Sequence, residues 1–397
     1  MNMETRFIPD FNFGASLEII GEDNNTYLVQ FFDNKTNLLI HQSEIPCNHW
    51  TKPTRKYFTE WKIVILHDGA VIFSEVFDCW GKNVLISTDT LALGDNIAFV
   101  PYYEEFKKQH NCDLTVATKF WWFFKDYYPN IKWINLNSPS EEVGEQYASY
   151  TMSIGVNIDV FNQGMSKINN EHNDKYNRNP TQYIKGLTHF DEEKHPEHPI
   201  LVPIQKQVCN VLGLEYKEIR PHFKINLGRP IQEKYICISE FASGANMKLW
   251  NNQVGWKNLV SELKRRGYEV VSISKEKSEL NGIIKRNGDY SLTDRMQYMK
   301  HAEFFIGVSS GLAWLNWAVG KKTVMISGFT DVSNEFQEDN IRIKNEGVCG
   351  GCYNSAEYVD KLCCHHADYC PTNKRFECTR KISPKMVIDK LIENNLI

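Results

Sequence analysis

From Gly14 to Leu91, apolar and polar residues alternate in short runs rich in Val, Ile, Tyr and Phe: SLEIIG, NTYLVQFFD, NLLIHQ, EWKIVILHD and AVIFSEVFD. A period of two is the signature of a half-buried strand. Turn chemistry separates the runs at Gly21 to Asn25, Asp33 to Lys35 and His67 to Gly69, where glycine and asparagine tolerate positive φ and aspartate hydrogen-bonds nearby amides. The spacing predicts an antiparallel β domain, sandwich or barrel-like, over residues 1–85.

The period changes at Asn83. VLIS reads as a short buried strand, a loop carries Leu93-Gly94-Asp95, and a helical period runs through Ile97, Val100, Tyr103 and Phe106. Asp113 to Thr118 reads as the next strand, with further α/β pieces at Trp133 to Asn135 and Ser153 to Val156, so residues 86–230 are expected to form one Rossmann-like lobe. Between Asp159 and Pro203 the chain turns polar and reads as a long surface excursion with no assignable element. A second lobe is expected over 231–345: strand YICISE, a helix from Gly255 to Arg266 capped by Gly267, strand EVVSIS, a helix from Thr293 to Lys300, strand EFFIGVS, a helix from Gly311 to Val319 and strand TVMIS. Residues 346–382 form a cysteine-rich segment, and 383–397 an amphipathic helix from Pro384. The fold class is therefore α/β, and two such lobes in tandem place a cleft at the carboxyl ends of both sheets, where open α/β sheets bind ligands.

A chain of 397 residues exceeds one core of ordinary size. Lys+Arg 45 against Asp+Glu 49 gives a net charge of −4, which disfavours a nucleic-acid coat and still allows a local basic groove. Hydrophobic residues at 42% exclude disorder over most of the chain, and aromatics at 13% suit ring-lined pockets. The start MNMETRFIPDFNFG has no signal-peptide pattern, and no apolar run approaches the roughly 20 residues a membrane helix needs. A cytoplasmic location follows as an expectation, and with it the reading of the 11 cysteines as thiols or metal ligands.

Six of those cysteines fall between 349 and 378. In Cys349-Gly-Gly-Cys352 the glycines let the backbone turn both thiolates toward one ion. Cys370 and Cys378, bracketing Pro371 to Glu377, are the first choice to complete a four-thiolate site for iron or zinc; Cys363, Cys364, His365 and His366 compete. Asp95 stands where a strand hands over to a helix at the mouth of the expected cleft, a position for a general base and equally for a helix N-cap. Ser309-Ser310-Gly311-Leu312 lies between a buried strand and a helix, where free amides and hydroxyls suit a diphosphate or a plain cap. One block earlier, Lys248 is placed to reach a phosphate or to remain a solvated charge, and Trp250 offers a ring face. Glu276, beyond EVVSIS, is placed to accept ribose hydroxyls; the tract His189 to His198 lacks clean metal spacing and reads as a polar loop.

The segments LALGDNIAFVPYYEEFKKQHNC, SEFASGANMKLWNNQVGWKNLVSELKRRGYEVVSISKE, FFIGVSSGLAWLNWAVGKKTVMISGF and CGGC…CP…FECTRKISPKMVI, taken in order, resemble the bacterial autotransporter heptosyltransferase family over nearly the whole chain. The resemblance implies a two-lobed glycosyltransferase-B fold with an added β domain, a cysteine-ligated iron finger and a large homo-oligomer. It also implies ADP-heptose as donor and serine hydroxyls of autotransporter adhesin passenger repeats as acceptor. The related lipopolysaccharide heptosyltransferases carry Gly-Asp after the first strand as the base, matched by Gly94-Asp95, and a Lys followed by Trp at the donor phosphates, resembled by Lys248 and Trp250. Their Asp-Thr-Gly-Leu turn with a following histidine is replaced here by Ser309-Ser310-Gly311-Leu312 and Trp314, a form that resembles the autotransporter branch. Cys349, Cys352, Cys370 and Cys378 match the finger set, with Cys363 and Cys364 extra.

The expected reaction is an inverting displacement: Asp95 takes the serine proton while Lys248 and the amides after Ser309 hold the departing diphosphate. No Asp-x-Asp metal motif is required. Two competing readings are a related glycosyltransferase acting on lipopolysaccharide or another surface glycan, and a non-catalytic protein whose finger engages a partner.

Overall fold

The computed structural model describes residues 4–138, 140–152, 192–193, 195–242, 246–358 and 370–397. Two sheets carry the lobes and a third stands beside them. In the first, the parallel strands Lys132–Asn135, Asp113–Thr118, Asn83–Thr88 and Ala148–Met152 lie in that order. In the second, six parallel strands run in the order Ile284–Lys285, Glu269–Ser272, Tyr235–Ser239, Phe305–Val308, Thr323–Ile326, Asn340–Ile343. The chain reverses its strand order between Tyr235–Ser239 and Phe305–Val308, and a crevice opens at such a reversal. Every residue of Tyr235–Ser239 and Phe305–Val308 is buried, as expected of parallel strands covered on both faces.

The amino-terminal strands do not form one separate unit. Thr26–Asp33, Leu38–Pro46, Trp61–His67 and Ala70–Val76 make a four-stranded antiparallel sheet in which Tyr27, Val29, Phe31, Ile63 and Ile65 turn inward. Arg6–Asn12, Ser16–Ile20 and His49–Thr51 instead extend the first lobe's sheet, with Phe11 opposite Ala148 and Asn12 opposite Ser149 in a parallel pair. Leu17 and Ile19, fully buried, and Phe11 share one apolar core with Val84 and Ile86 and with the inward residues of the four-stranded sheet.

The helix Leu93–His110 buries Ile97, Val100, Tyr103 and Phe106 and ends at Asn111 in the left-handed region. Strands Asp113–Thr118 and Lys132–Asn135 fall where the alternation puts them; a further strand is described at Ala148–Met152, and the piece expected at Ser153 to Val156 lies outside the described residues. The polar excursion ends in a short turn of helix at Pro199–Leu201 and a helix at Ile204–Leu212, which packs on Leu93–His110. In the second lobe, the helices Gly255–Arg265, Leu292–His301 and Gly311–Ala318 match the expected segments, and Gly267 has φ +89. Ser291 and Asp294 form a reciprocal capping box. The terminal helix Pro384–Glu393 packs on Gly255–Arg265 and seals the second core through Val387 and Leu391. Among the described residues, no helix is long and apolar enough to cross a membrane.

Candidate functional site

Between the lobes, at the carboxyl ends of both sheets, lies a cavity of about 460 Å³. Its first-lobe wall is the turn Ala92 to Asp95 with Trp122; its second-lobe wall includes Lys248, Glu276, Arg295 and the turn from Ser309 to Leu312 with Trp314. The two walls touch at glycines. A Cβ on Gly94 would lie 3.0 Å from Trp314 Cδ1 and 3.4 Å from Gly311 Cα, and one on Gly311 would lie 2.9 Å from Leu93 Cβ.

Asp95 is half-buried in the first turn of Leu93–His110, not at its cap, since the capping position belongs to Ala92 and has no side-chain bond. Its Oδ2 accepts the Thr90 hydroxyl at 2.8 Å, and the same Thr90 oxygen accepts the Ala92 amide at 3.2 Å. Burial raises the Asp95 carboxyl above its ordinary value, against the Thr90 hydroxyl and the Lys248 ammonium, which both pull it down. Behind it, Asn96 donates to the Thr90 and Ala92 carbonyls at 2.9 Å and accepts Thr118 Oγ1 at 2.5 Å. Asn96 is 1% exposed and ties the turn carrying Asp95 to the neighbouring strand. Neither Thr90 nor Asn96 is evident in the sequence, because an asparagine in the first turn of a helix looks like any polar surface residue.

On the opposite wall the two serines separate in role. Ser309 is buried and donates its hydroxyl to Glu335 Oε1 at 2.6 Å, so its side chain is turned into the protein; this corrects the expectation of a hydroxyl offered to a ligand. Glu335 also accepts Thr330 and Asn334 and pairs with Arg342 at 2.8 Å. Ser310 sits at the cap of Gly311–Ala318 without a capping bond, and its Oγ is buried and without a partner among the described residues. With the unpaired amides of that helix start, it leaves hydrogen-bond capacity at the pocket wall. Gly311 and Leu312 line the wall, and Trp314 is buried edge-on against Trp317 and Phe336 with centroids at 5.6 and 5.0 Å.

Lys248 ends a short turn of helix, Asn246–Lys248, and faces Asp95 across the pocket; among the described residues it has no hydrogen-bond or ion-pair partner. Exposed Glu276 lines the same pocket. Trp250 does not. It is 4% exposed, donates Nε1 to the Ile382 carbonyl at 2.9 Å, stands edge-on to Trp256, and lies so close to Gly255 that a Cβ there would come within 2.8 Å of the ring. The expected ligand-facing ring is therefore a core residue: burying its large apolar area while satisfying its N–H outweighs exposing it at a cleft. Arg295, absent from the sequence reading, lines the pocket while being 4% exposed. Its Nη2 donates to the Gly288 carbonyl at 2.7 Å, Nη1 has no partner among the described residues, and burial lowers the guanidinium below its ordinary value.

Cys349, Cys352 and Cys378 share a small cluster with Met247 and Phe329, and Cys370 joins through Thr372, whose Oγ1 lies 3.4 Å from Cys370 Sγ and 3.7 Å from Cys349 Sγ. Burial, reinforced by the neighbouring thiols, pushes Cys352 up to about 11 and Cys378 up to about 12. Burial also acts to raise Cys370, but the Thr372 hydroxyl and the amides of Phe376, Lys374 and Thr372 carry it below its ordinary value. Such amides stabilise a thiolate. Among the described residues, however, no three Cys, His, Asp or Glu side chains are arranged closely enough to hold a metal ion; Thr372 stands between two of the sulfurs, and Cys352 donates toward the Phe329 carbonyl at 3.9 Å. Cys363, Cys364, His365 and His366 lie outside the described residues, as does His189; His198 caps Pro199–Leu201 through Nδ1.

Residues 201–338 match the model of glycosyltransferase family 9 (heptosyltransferase). The chain is 30% identical to the autotransporter heptosyltransferase Aah of Escherichia coli, over 95% of this chain and 90% of that protein. It is 27% identical to an inactive autotransporter heptosyltransferase, BimC of Burkholderia thailandensis, over 95% of this chain and 83% of that one. A solved structure of the dodecameric iron-containing heptosyltransferase TibC, from enterotoxigenic E. coli H10407, in complex with ADP-D-beta-D-heptose superposes with a TM-score of 0.80 at 26% identity, covering 98% of this chain and 96% of that one.

Proposed function

Because this chain belongs to the autotransporter heptosyltransferase family, we propose that it transfers heptose from ADP-heptose to serine hydroxyls of an autotransporter passenger, with Asp95 as general base. One observation carries the assignment of roles: a carboxylate on one lobe and, on the other, an ammonium with no hydrogen-bond or ion-pair partner among the described residues, Asp95 and Lys248, face the same interlobe pocket.

In this mechanism Thr90 holds Oδ2 of Asp95, and Oδ1 takes the acceptor serine proton as that oxygen attacks the anomeric carbon. The bond from that carbon to the diphosphate breaks on the opposite face, so the configuration inverts and ADP departs with the electron pair. Lys248 and the helix start at Ser310 and Gly311 stabilise its growing charge. Glu276 is placed to accept ribose hydroxyls. The raised Asp95 carboxyl makes a stronger base than an ordinary carboxylate, as suits a group that takes the serine proton.

Cys349, Cys352, Cys370 and Cys378 fit iron by donor type, and the amides around Cys370 favour a thiolate. The metal would cross-link the finger and takes no part in transfer. Val71, Ile72 and Val76 are exposed on the edge strand Ala70–Val76, which supports association into a homo-oligomer like that of TibC. A cytoplasmic location is part of the same proposal, with the passenger modified before its export.

The experiment is intact-mass analysis of a serine-rich autotransporter repeat after incubation with ADP-heptose and the protein. One heptose mass per modified serine is expected. No mass gain, with ADP-heptose bound, would place the chain beside the inactive relative BimC; gain only on a lipopolysaccharide acceptor would favour the related surface-glycan reaction. Metal analysis of the Cys349→Ser, Cys352→Ser double variant should show loss of iron and of oligomer mass.

A further inference from the structure

Arg295 stands in the first turn of the helix Leu292–His301, 4% exposed, on the wall of the interlobe cavity. That position is costly twice over. The start of a helix favours anions, so a cation there is opposed by the helix dipole. A buried donor without an acceptor also forfeits its hydrogen bonds to water. One half of the guanidinium is settled, since Nη2 donates to the Gly288 carbonyl at 2.7 Å and fixes the plane of the group; the other half, Nη1, is buried and has no partner among the described residues. The loop that supplies this carbonyl is itself held in place, with the Gly288 amide on the Lys275 carbonyl at 2.9 Å and Asn287 Nδ2 on the Ser274 carbonyl at 3.0 Å.

The chemistry of the missing acceptor can be narrowed. Burial is the largest influence on Arg295, and Asp294, Glu276 and Asp289 act electrostatically on it in the opposite sense, so its charge is partly offset by carboxylates. Lys248 and Ser310, whose Oγ is buried and has no partner among the described residues, line the same pocket and are the groups assigned to the diphosphate. A rigid donor whose charge is partly offset suits an uncharged acceptor-only atom, and the ring nitrogens of a purine are of that kind. We infer that Arg295 Nη1 donates to a ring nitrogen of the donor's adenine and so reads the base, an inference that rests on the pocket being the ADP-sugar site.

The test measures calorimetric affinities of the full-length wild type and of Arg295→Met and Arg295→Lys for ADP, the 1-, 3- and 7-deaza analogues of ADP, and inorganic pyrophosphate. Loss of one hydrogen bond from a charged donor should weaken ADP by about 10- to 100-fold in Arg295→Met, with the effect on transfer appearing mainly in KM for the donor. One deaza analogue should weaken wild-type binding by a similar factor and cost the variant nothing further, while pyrophosphate affinity should not move. Equal weakening of pyrophosphate would make Arg295 a phosphate contact. No discrimination among the deaza analogues by the wild type, or unchanged ADP affinity in both variants, would also overturn the inference and leave the arginine structural. Failure of the wild type to bind ADP at all would instead overturn the reading of the pocket.

Discussion

Gly94 and Gly311 meet backbone to backbone across the cleft: a Cβ on Gly311 would lie 3.1 Å from Gly94 N and one on Gly94 3.4 Å from Gly311 Cα. The first turns of two helices, one from each lobe, can therefore close on a single pocket. Gly311→Ala gains about 1 kcal/mol of helix propensity but places a methyl against backbone that cannot rotate away, at an overpacking cost of about 1–3 kcal/mol. The expected net result is a lower melting temperature together with a higher donor KM. A variant more stable than wild type with unchanged KM would show that the lobes do not need this contact.

Asp95→Asn keeps the shape of the side chain and removes the proton acceptor. Transfer should fall by about 10²- to 10⁴-fold, the range a positioned base supplies, while ADP affinity stays within a few-fold. Turnover by intact mass and binding by calorimetry separate the two, and wild-type turnover in the variant would remove Asp95 from the mechanism.

The same carboxyl makes a prediction about stability. Burial raises its folded pKa, so the native state holds the proton more tightly than the unfolded chain does. Its contribution to stability is therefore present below the unfolded pKa and lost as the pH rises through the folded value, which means that ionised Asp95 opposes folding at neutral pH. Asp95→Asn should melt higher than wild type near pH 7–8, and the advantage should shrink as the pH falls toward about 4. A constant difference across that range would contradict the assignment. In kcat/KM, the acid limb should lie above the usual carboxylate range.

Trp250→Phe should cost about 1 kcal/mol in urea unfolding, because the indole's hydrogen bond to the Ile382 carbonyl is lost while Asn252 Nδ2 still donates to that oxygen at 3.2 Å, and should leave donor KM unaltered. A raised KM at unchanged stability would restore the ring to the ligand.

Glu335 holds Arg342 where the two side chains are 1% and 9% exposed, and it also fixes Ser309. Glu335→Gln leaves a buried guanidinium uncompensated, for an expected loss of about 3–5 kcal/mol, against about 1 kcal/mol for Ser309→Ala. Equal effects in denaturant titrations would mean that the ion pair contributes little.

Much of this architecture is legible in the residue pattern, because period two and period 3.6 report burial directly: the strand Asp113–Thr118 and the helices beginning at Gly255 and Gly311 fall where the pattern puts them. The turns bearing Asp95 and Ser310 are legible for the same reason, since a strand-to-helix handover is local. Pairing partners are not local. Arg6–Asn12 and Ala148–Met152 are neighbours only because both complete one core, and no short window contains that information. Side-chain direction fails similarly: the letters of Ser309 and Trp250 suit a ligand, but Glu335 and Ile382, far along the chain, take them. Arg295 reads as an ordinary helix charge until its burial is known.

The seating of Arg6–Asn12 beside Ala148–Met152 bears on biosynthesis. During translation the opening strand emerges long before its parallel neighbour and can engage only the hairpin that follows it. A nascent chain stopped short of Met152, or a truncation beginning after Asn12, bares a row of backbone donors and acceptors to other chains, so such fragments should aggregate where the intact polypeptide folds.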